Sequence, residues 1–238
     1  MKTIGLLGGM SMESTMHYIQ GFMDYYRKNL GGLNSPKIAM RTVNFKQIRE
    51  LMKNAKWDDI AEVITQESKL IEKAGADFLL ISTNTIHKVA DKVQQNINIP
   101  LMHITNPVID ELKQDGKKDI LLLGTKPTME DKSICIDRYE KAGLNVFVPD
   151  EEDKNTLDRI IFSELCFDGR TNSFYAFNEI ILKHQRDWRI LLSKAQGIVL
   201  GCTELELFLK HYTNFPNNLF YDTTKLHILA AAKKSLEK

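Results

Sequence analysis

The sequence predicts an α/β fold made of two pseudo-symmetric parallel-sheet domains, with an active site in the cleft between them. Three observations lead there. Short apolar runs alternate with longer amphipathic stretches along all 238 residues. The runs are apolar on consecutive rather than alternate residues, as suits strands covered on both faces. The second half of the chain also repeats strand endings found in the first.

The runs, in order, are residues 4–7, 38–43, 78–82, 101–104, 120–123, 146–148, 198–200 and 219–221, and each is read as a strand. Stretches such as 58–74, 131–142 and 174–194 space their apolar residues at helical intervals and carry charge on the opposite face. Such alternation places a site at the carboxyl ends of the strands.

The repeat is specific. Ile4-Gly-Leu-Leu-Gly-Gly9 resembles Ile120-Leu-Leu-Leu-Gly-Thr125, and Phe78-Leu-Leu-Ile-Ser-Thr83-Asn-Thr85 resembles Gly197-Ile-Val-Leu-Gly-Cys202-Thr-Glu204. Gly8 and Thr83 are 75 residues apart; Gly124 and Cys202 are 78 apart. This separation is too long for a solenoid period and suggests a duplicated domain. Residues 1–106 with a returning 215–238 are expected to form the first half, and residues 107–214 the second. Two such halves facing each other would set Thr83 and Cys202 on opposite walls of one cleft.

Bulk properties narrow the partners. The 32 Lys+Arg balance 31 Asp+Glu, so charge gives no reason to expect nucleic acid or a membrane surface. Nor does any apolar run approach membrane-spanning length. The opening MKTIGLLGGM lacks a small-residue cleavage site and reads as a first buried strand rather than a signal peptide. Cys135, Cys166 and Cys202 are few, odd in number and far apart, which argues for a reducing, cytoplasmic setting with free thiols.

Cys202 is the residue that points to chemistry. It lies where a buried strand stops and a helix is expected to start. A helix N-terminus can lower a thiol's pKa from about 8.5 towards neutrality, giving a base without a metal. Cys135 and Cys166 read as packing residues, although Cys166 could approach the cleft. No histidine pair has metal-ligand spacing, and packing or exposure is expected of His87 and His103. Lys126 could bind an anion or be a solvated loop charge. For Ser11 and Thr128 the alternative to a binding role is helix capping.

Gly201-Cys202-Thr203-Glu204 resembles the second catalytic motif of the aspartate/glutamate racemases, and Asn84-Thr85 resembles the end of the first, which reads Cys-Asn-Thr in that family. The stretches 5–15, 123–129, 163–166 and 222–227 are also similar to the subgroup, so the resemblance runs end to end. It implies a cofactor-independent enzyme, without pyridoxal phosphate or metal, acting on a small acidic amino acid. One cysteine removes the Cα proton and a second returns one to the opposite face. The resemblance also implies a homodimer. Asn84, Thr85 and Thr203 would donate to the substrate carboxylates, Glu204 would accept from the α-ammonium, and Met10, Ser11, Thr125 and Thr128 would line the cleft.

The departure is Thr83, which stands where the family has its first cysteine. A hydroxyl is a far poorer base than a thiolate. Cys202 is therefore expected to exchange the Cα proton of L-aspartate or L-glutamate, while Thr83, acting through a water, serves the D-face slowly. Two alternatives remain open. One is an amino-acid-binding regulatory protein with little turnover. The other is a related maleate isomerase, arylmalonate decarboxylase or hydantoin racemase, against which Glu204 argues by favouring an amine-bearing ligand.

Overall fold

The computed structural model describes residues 1–165, 173–191, 196–211 and 219–237. The chain divides into two compact units, Met1–Asn106 with Thr224–Lys238, and Pro107–Thr223. The second changeover falls after Thr223 rather than at 215. The reason is local: Phe220–Asp222 pairs with a strand of the second sheet, so the chain leaves that unit only when its last helix begins.

The first unit holds strands β1 (Ile4–Gly8), β2 (Ile38–Thr42) and β3 (Phe78–Ile81) in the order β2-β1-β3. Both pairings are parallel, with Ile4 opposite Ile38 on one side and Phe78 on the other. Helix α1 (Met12–Leu30) follows β1. It starts at Ser11, whose side chain accepts the Ser14 N–H, and stops at Gly31, where φ is +64°. Helices α2 (Phe45–Lys53) and α3 (Trp57–Lys73) connect β2 to β3.

Successive residues of the central strands serve opposite cores. Ile4, Leu6, Phe78 and Leu80 pack with Tyr18, Phe22 and Tyr26 of α1. Leu7, Leu79 and Ile81 pack with Ile48, Ile60, Ile64 and Ile71 of α2 and α3. Both faces are therefore covered, which is why the runs are apolar at every position. Each large side chain buried this way contributes roughly 1.5–3 kcal/mol.

The expected strand at 101–104 does not form. Leu101 makes a single parallel bridge to Leu79, and the pairing ends as the chain turns into a helix starting at Thr105. Between β3 and that bridge lie a 3₁₀ helix (Thr85–Val89) and helix α4 (Ala90–Gln94); α5 (Thr105–Gln114) then carries the chain into the second unit.

The second unit repeats the plan. Strands β4 (Asp119–Gly124), β5 (Asn145–Phe147), β6 (Gly197–Gly201) and β7 (Phe220–Asp222) lie in the order β5-β4-β6-β7, all parallel. Helix α6 (Lys126–Glu130) follows β4. Of the stretch expected as a helix at 131–142 only α7 (Ile136–Lys141) is helical; the first residues of that stretch form a turn in which the Ser133 hydroxyl donates to Asp131. Next comes α8 (Glu151–Ile160), capped by the Asp150 side chain and extended by a π-helical turn (Ile161–Leu165). Helix α9 (Phe174–Leu191) is the described part of the stretch expected at 174–194. Leu121, Leu123, Ile198 and Leu200 pack with Leu157, Ile160, Phe177 and Phe208.

The last helix, α10 (Thr223–Leu236), belongs to the first unit from Thr224 onward. Ile228, Ala231 and Ala232 bury against the β1 and β3 side chains, and the Tyr26 and Ser235 hydroxyls meet at 2.7 Å. Among the described residues no helix is long and apolar enough to cross a membrane.

Candidate active site

In each unit the candidate residues sit on the two turns that follow the paired central strands. In the first unit the turn after β1 is set by Gly9, at φ +88°. A Cβ there would lie 2.4 Å from the Val43 carbonyl oxygen, so the close approach to the end of β2 requires glycine. The Gly9 N–H donates to the Thr15 hydroxyl at 2.8 Å, and that hydroxyl donates to the Ser11 carbonyl at 2.8 Å. Ser14 then donates to the Ser82 carbonyl at 2.8 Å, tying the first turn of α1 to the end of β3. Met10 and Ser11 are buried in this network. Ser11 does cap α1, through a 3.1 Å bond from Ser14 N–H.

Thr83 is half-buried at the turn after β3, and Asn84 and Thr85 behind it are buried. Its backbone carbonyl lies 2.7 Å from Nδ1 of His87. The His87 Nε2 accepts the Ile104 N–H at 3.2 Å, so the proton sits on Nδ1 and the ring is neutral, with Nδ1–H donating to Thr83. Sequence reasoning missed this role for His87. The available signal was its position four residues after Thr83.

Three buried imidazoles meet behind this turn. The His87 ring centroid is 4.4 Å from that of His103 and 6.1 Å from that of His227. The Tyr18 hydroxyl meets His227 Nδ1 at 2.8 Å, while Nε2 lies 2.9 Å from the Met102 carbonyl. A carbonyl only accepts, so Nε2 carries the proton and Nδ1 accepts from Tyr18. Burial, with a smaller contribution from His87, pushes the His227 pKa down to about 3 and keeps it neutral.

The second unit places Thr125 and Thr128 after β4, with their hydroxyls 2.9 Å apart. Thr128 is inside α6 rather than at its cap, and its methyl packs on Gly124 and Gly201, which are paired in register. Lys126 is held by Glu151 and by Asn155 at 2.9 Å. Its pKa is raised, first by the hydrogen bond to Glu151. This lysine is not simply solvated; side chains of its own unit hold it.

Cys202, Thr203 and Glu204 follow β6, and all three are buried, at 7%, 6% and 5% exposure. The Cys202 thiol donates to Glu204 Oε2 at 3.0 Å, and the Thr203 hydroxyl donates to the same oxygen at 2.6 Å. The helix expected to start at Cys202 is instead a 3₁₀ helix, Leu205–His211. No α-helix dipole therefore acts on the sulfur; the Glu204 carboxylate meets it instead. Of the other cysteines, Cys135 is buried beside Asp131, and burial pushes its thiol up to about 12. Cys166 lies outside the described residues.

Each unit is thus a parallel α/β sheet carrying its candidate residues on two strand-end turns, and comparison with known proteins gives the family. Residues 7–231 match the Asp/Glu/Hydantoin racemase family, so the chain belongs to that family. A candidate Asp/Glu racemase from Yersinia pestis is 36% identical over the full length of both chains, with a TM-score of 0.86. An aspartate racemase homologue from Pyrococcus horikoshii is 31% identical, again over both full chains, with a TM-score of 0.82. The broad specificity amino-acid racemase RacX of Bacillus subtilis is 29% identical over 140 residues, 53% of this chain. The matched stretch spans 56% of that relative's length.

Proposed function

We propose that the protein is a cofactor-independent racemase of acidic amino acids, with Cys202 as the main acid/base at Cα and Thr83 serving the opposite face. The observation that carries this reading is the buried Cys202–Glu204 pair at the carboxyl end of β6. It joins a proton carrier to an acceptor suited to an α-ammonium group. Family membership and the named relatives support the reaction class.

In the proposed reaction the Cys202 thiolate takes the Cα proton of an L-amino acid. The carbanion is met by donors fixed before the reaction, namely Asn84, Thr85, Thr203 and the N–H groups of the strand-end turns. Met10, Ser11, Thr125 and Thr128 line the site. A proton then reaches the other face from the Thr83 side through water. A hydroxyl does this slowly, so the enzyme favours L-substrates. On the same resemblance the protein is a homodimer, and its few, widely spaced cysteines suit the cytoplasm.

The test is a racemisation screen by chiral chromatography, starting from each enantiomer of aspartate and glutamate. Conversion of an acidic amino acid is expected. Absence of conversion from all four, with a folded protein, overturns the proposal. Thr83 also favours a second reading, a protein that binds an acidic amino acid without turnover. Cys202→Ser separates the two: ligand binding persists in both, but only an enzyme has an activity to lose.

A further inference from the structure

The Cys202 turn is built in a way that opposes a standing thiolate. The sulfur meets a carboxylate oxygen at 3.0 Å. Thr203 donates to that same oxygen at 2.6 Å and so keeps it in place beside the sulfur. Both groups are buried, where charges are poorly screened. A negative charge this close disfavours ionisation of the thiol, and the segment after it offers a seven-residue 3₁₀ helix rather than an α-helix.

Among the described residues, neighbouring elements add further acidic groups. Asp222 ends β7 and Glu206 lies in the 3₁₀ helix. Glu164 of the π-helical turn takes the Ser173 backbone N–H at 3.0 Å. Asp158 of α8 accepts the Lys126 N–H, and the Lys126 ammonium is held by Glu151 and Asn155.

We propose that Glu204 holds Cys202 as the protonated thiol until a ligand's ammonium group takes up the Glu204 carboxylate, so that the thiolate forms only with an amino acid bound. This rests on the acidic amino-acid racemase reading above and adds a selection step to it. The ammonium neutralises the carboxylate and competes with the thiol for Oε2. The Sγ–H proton then passes to a solvent water or buffer base, leaving the thiolate. The thiolate takes the Cα proton and becomes a thiol again, and the carbanion is reprotonated from the opposite face. A dicarboxylate without an amine can fill the carboxylate contacts, yet it leaves Glu204 charged and Cys202 protonated. The unliganded thiol is also protected from oxidation, because the thiolate is the reactive form.

The test follows iodoacetamide alkylation of Cys202 against pH, read by peptide mass. In the unaltered protein the alkylation midpoint lies above the ordinary thiol value of about 8.5. Glu204→Gln lowers that midpoint by about one unit, giving about tenfold faster alkylation at neutral pH. An unchanged or higher midpoint in the variant overturns the proposal.

A second measurement needs no Glu204 variant. The ultraviolet absorbance of the thiolate is followed in the unaltered protein, with Cys202→Ser as blank, on adding L-aspartate or succinate. A rise with L-aspartate and none with succinate is expected. Equal signals from the two, or no signal from L-aspartate shown to bind by dialysis, overturn it. Racemisation is assayed on the same preparations. Turnover without the selective thiolate signal removes the gating role alone; failure to bind or turn over any acidic amino acid removes the underlying reading.

Discussion

The turn after β3 and the turn after β6 hold the same place in their two units, yet they are organised around different atoms. After β3, the Thr83 backbone carbonyl is fixed by His87, which is itself held by the Ile104 N–H. After β6, the Cys202 side chain is held by a carboxylate. One turn fixes main chain through an imidazole; the other fixes a thiol through a carboxylate. The duplicated framework thus keeps position while chemistry diverges, and the stereochemical bias proposed for the enzyme follows from that divergence.

The largest effect is expected at the sulfur. Cys202→Ser lowers Cα hydrogen exchange from L-aspartate by about 10³-fold. A loss of only a few fold would show that the two turns do not differ as described. Next, Thr83→Cys makes the turns alike and raises exchange from the D-enantiomer by about 10²-fold. An unchanged ratio of D to L exchange would place the asymmetry elsewhere.

His87→Ala removes a partner from the Thr83 carbonyl and from the Ile104 N–H. It lowers stability by about 1–3 kcal/mol in urea unfolding, and D-face exchange falls more than L-face exchange. Loss of both exchanges in equal measure would mean that His87 serves the fold alone.

The Thr83 turn also leans on neutral histidines, so acid should loosen it. His227 has a folded value of about 3 against 6.5 for the free group. Between those limits the unfolded chain binds the extra proton, so stability falls as pH drops below about 6.5 and the loss is complete below about 3. The slope approaches about 1.4 kcal/mol per pH unit inside that window. Unfolding at a series of pH values reads it, and a flat profile from pH 6.5 to 4 would contradict it. The smallest effect is Ser11→Ala, which removes the cap of α1 and costs about 1 kcal/mol, measured as a lower Tm.

Much of the fold was legible because the parallel strands are buried on both faces, and consecutive apolar residues such as 78–81 announce that directly. The internal repeat reappears in the strand order, since β2-β1-β3 and β5-β4-β6 share one plan, although the order itself was not read from the sequence. The run at 101–104 misled because apolar residues next to a helix start look like a strand when pairing partners are invisible. The 131–142 stretch misled because helical spacing continued through a turn held by Asp131 and Ser133. At the site, residue types and strand ends were readable, and Ser11 as a cap was among the readings. The His87–Thr83 bond and the Glu204–Cys202 contact depend on side-chain direction at the turns after β3 and β6, which apolar periodicity does not encode.

Cα hydrogen exchange in D₂O, measured separately with L- and D-aspartate and followed by mass, tests the central claim most directly. The account predicts fast deuterium incorporation from the L-enantiomer and slow incorporation from the D-enantiomer. Fast exchange from the D-enantiomer alone would contradict it.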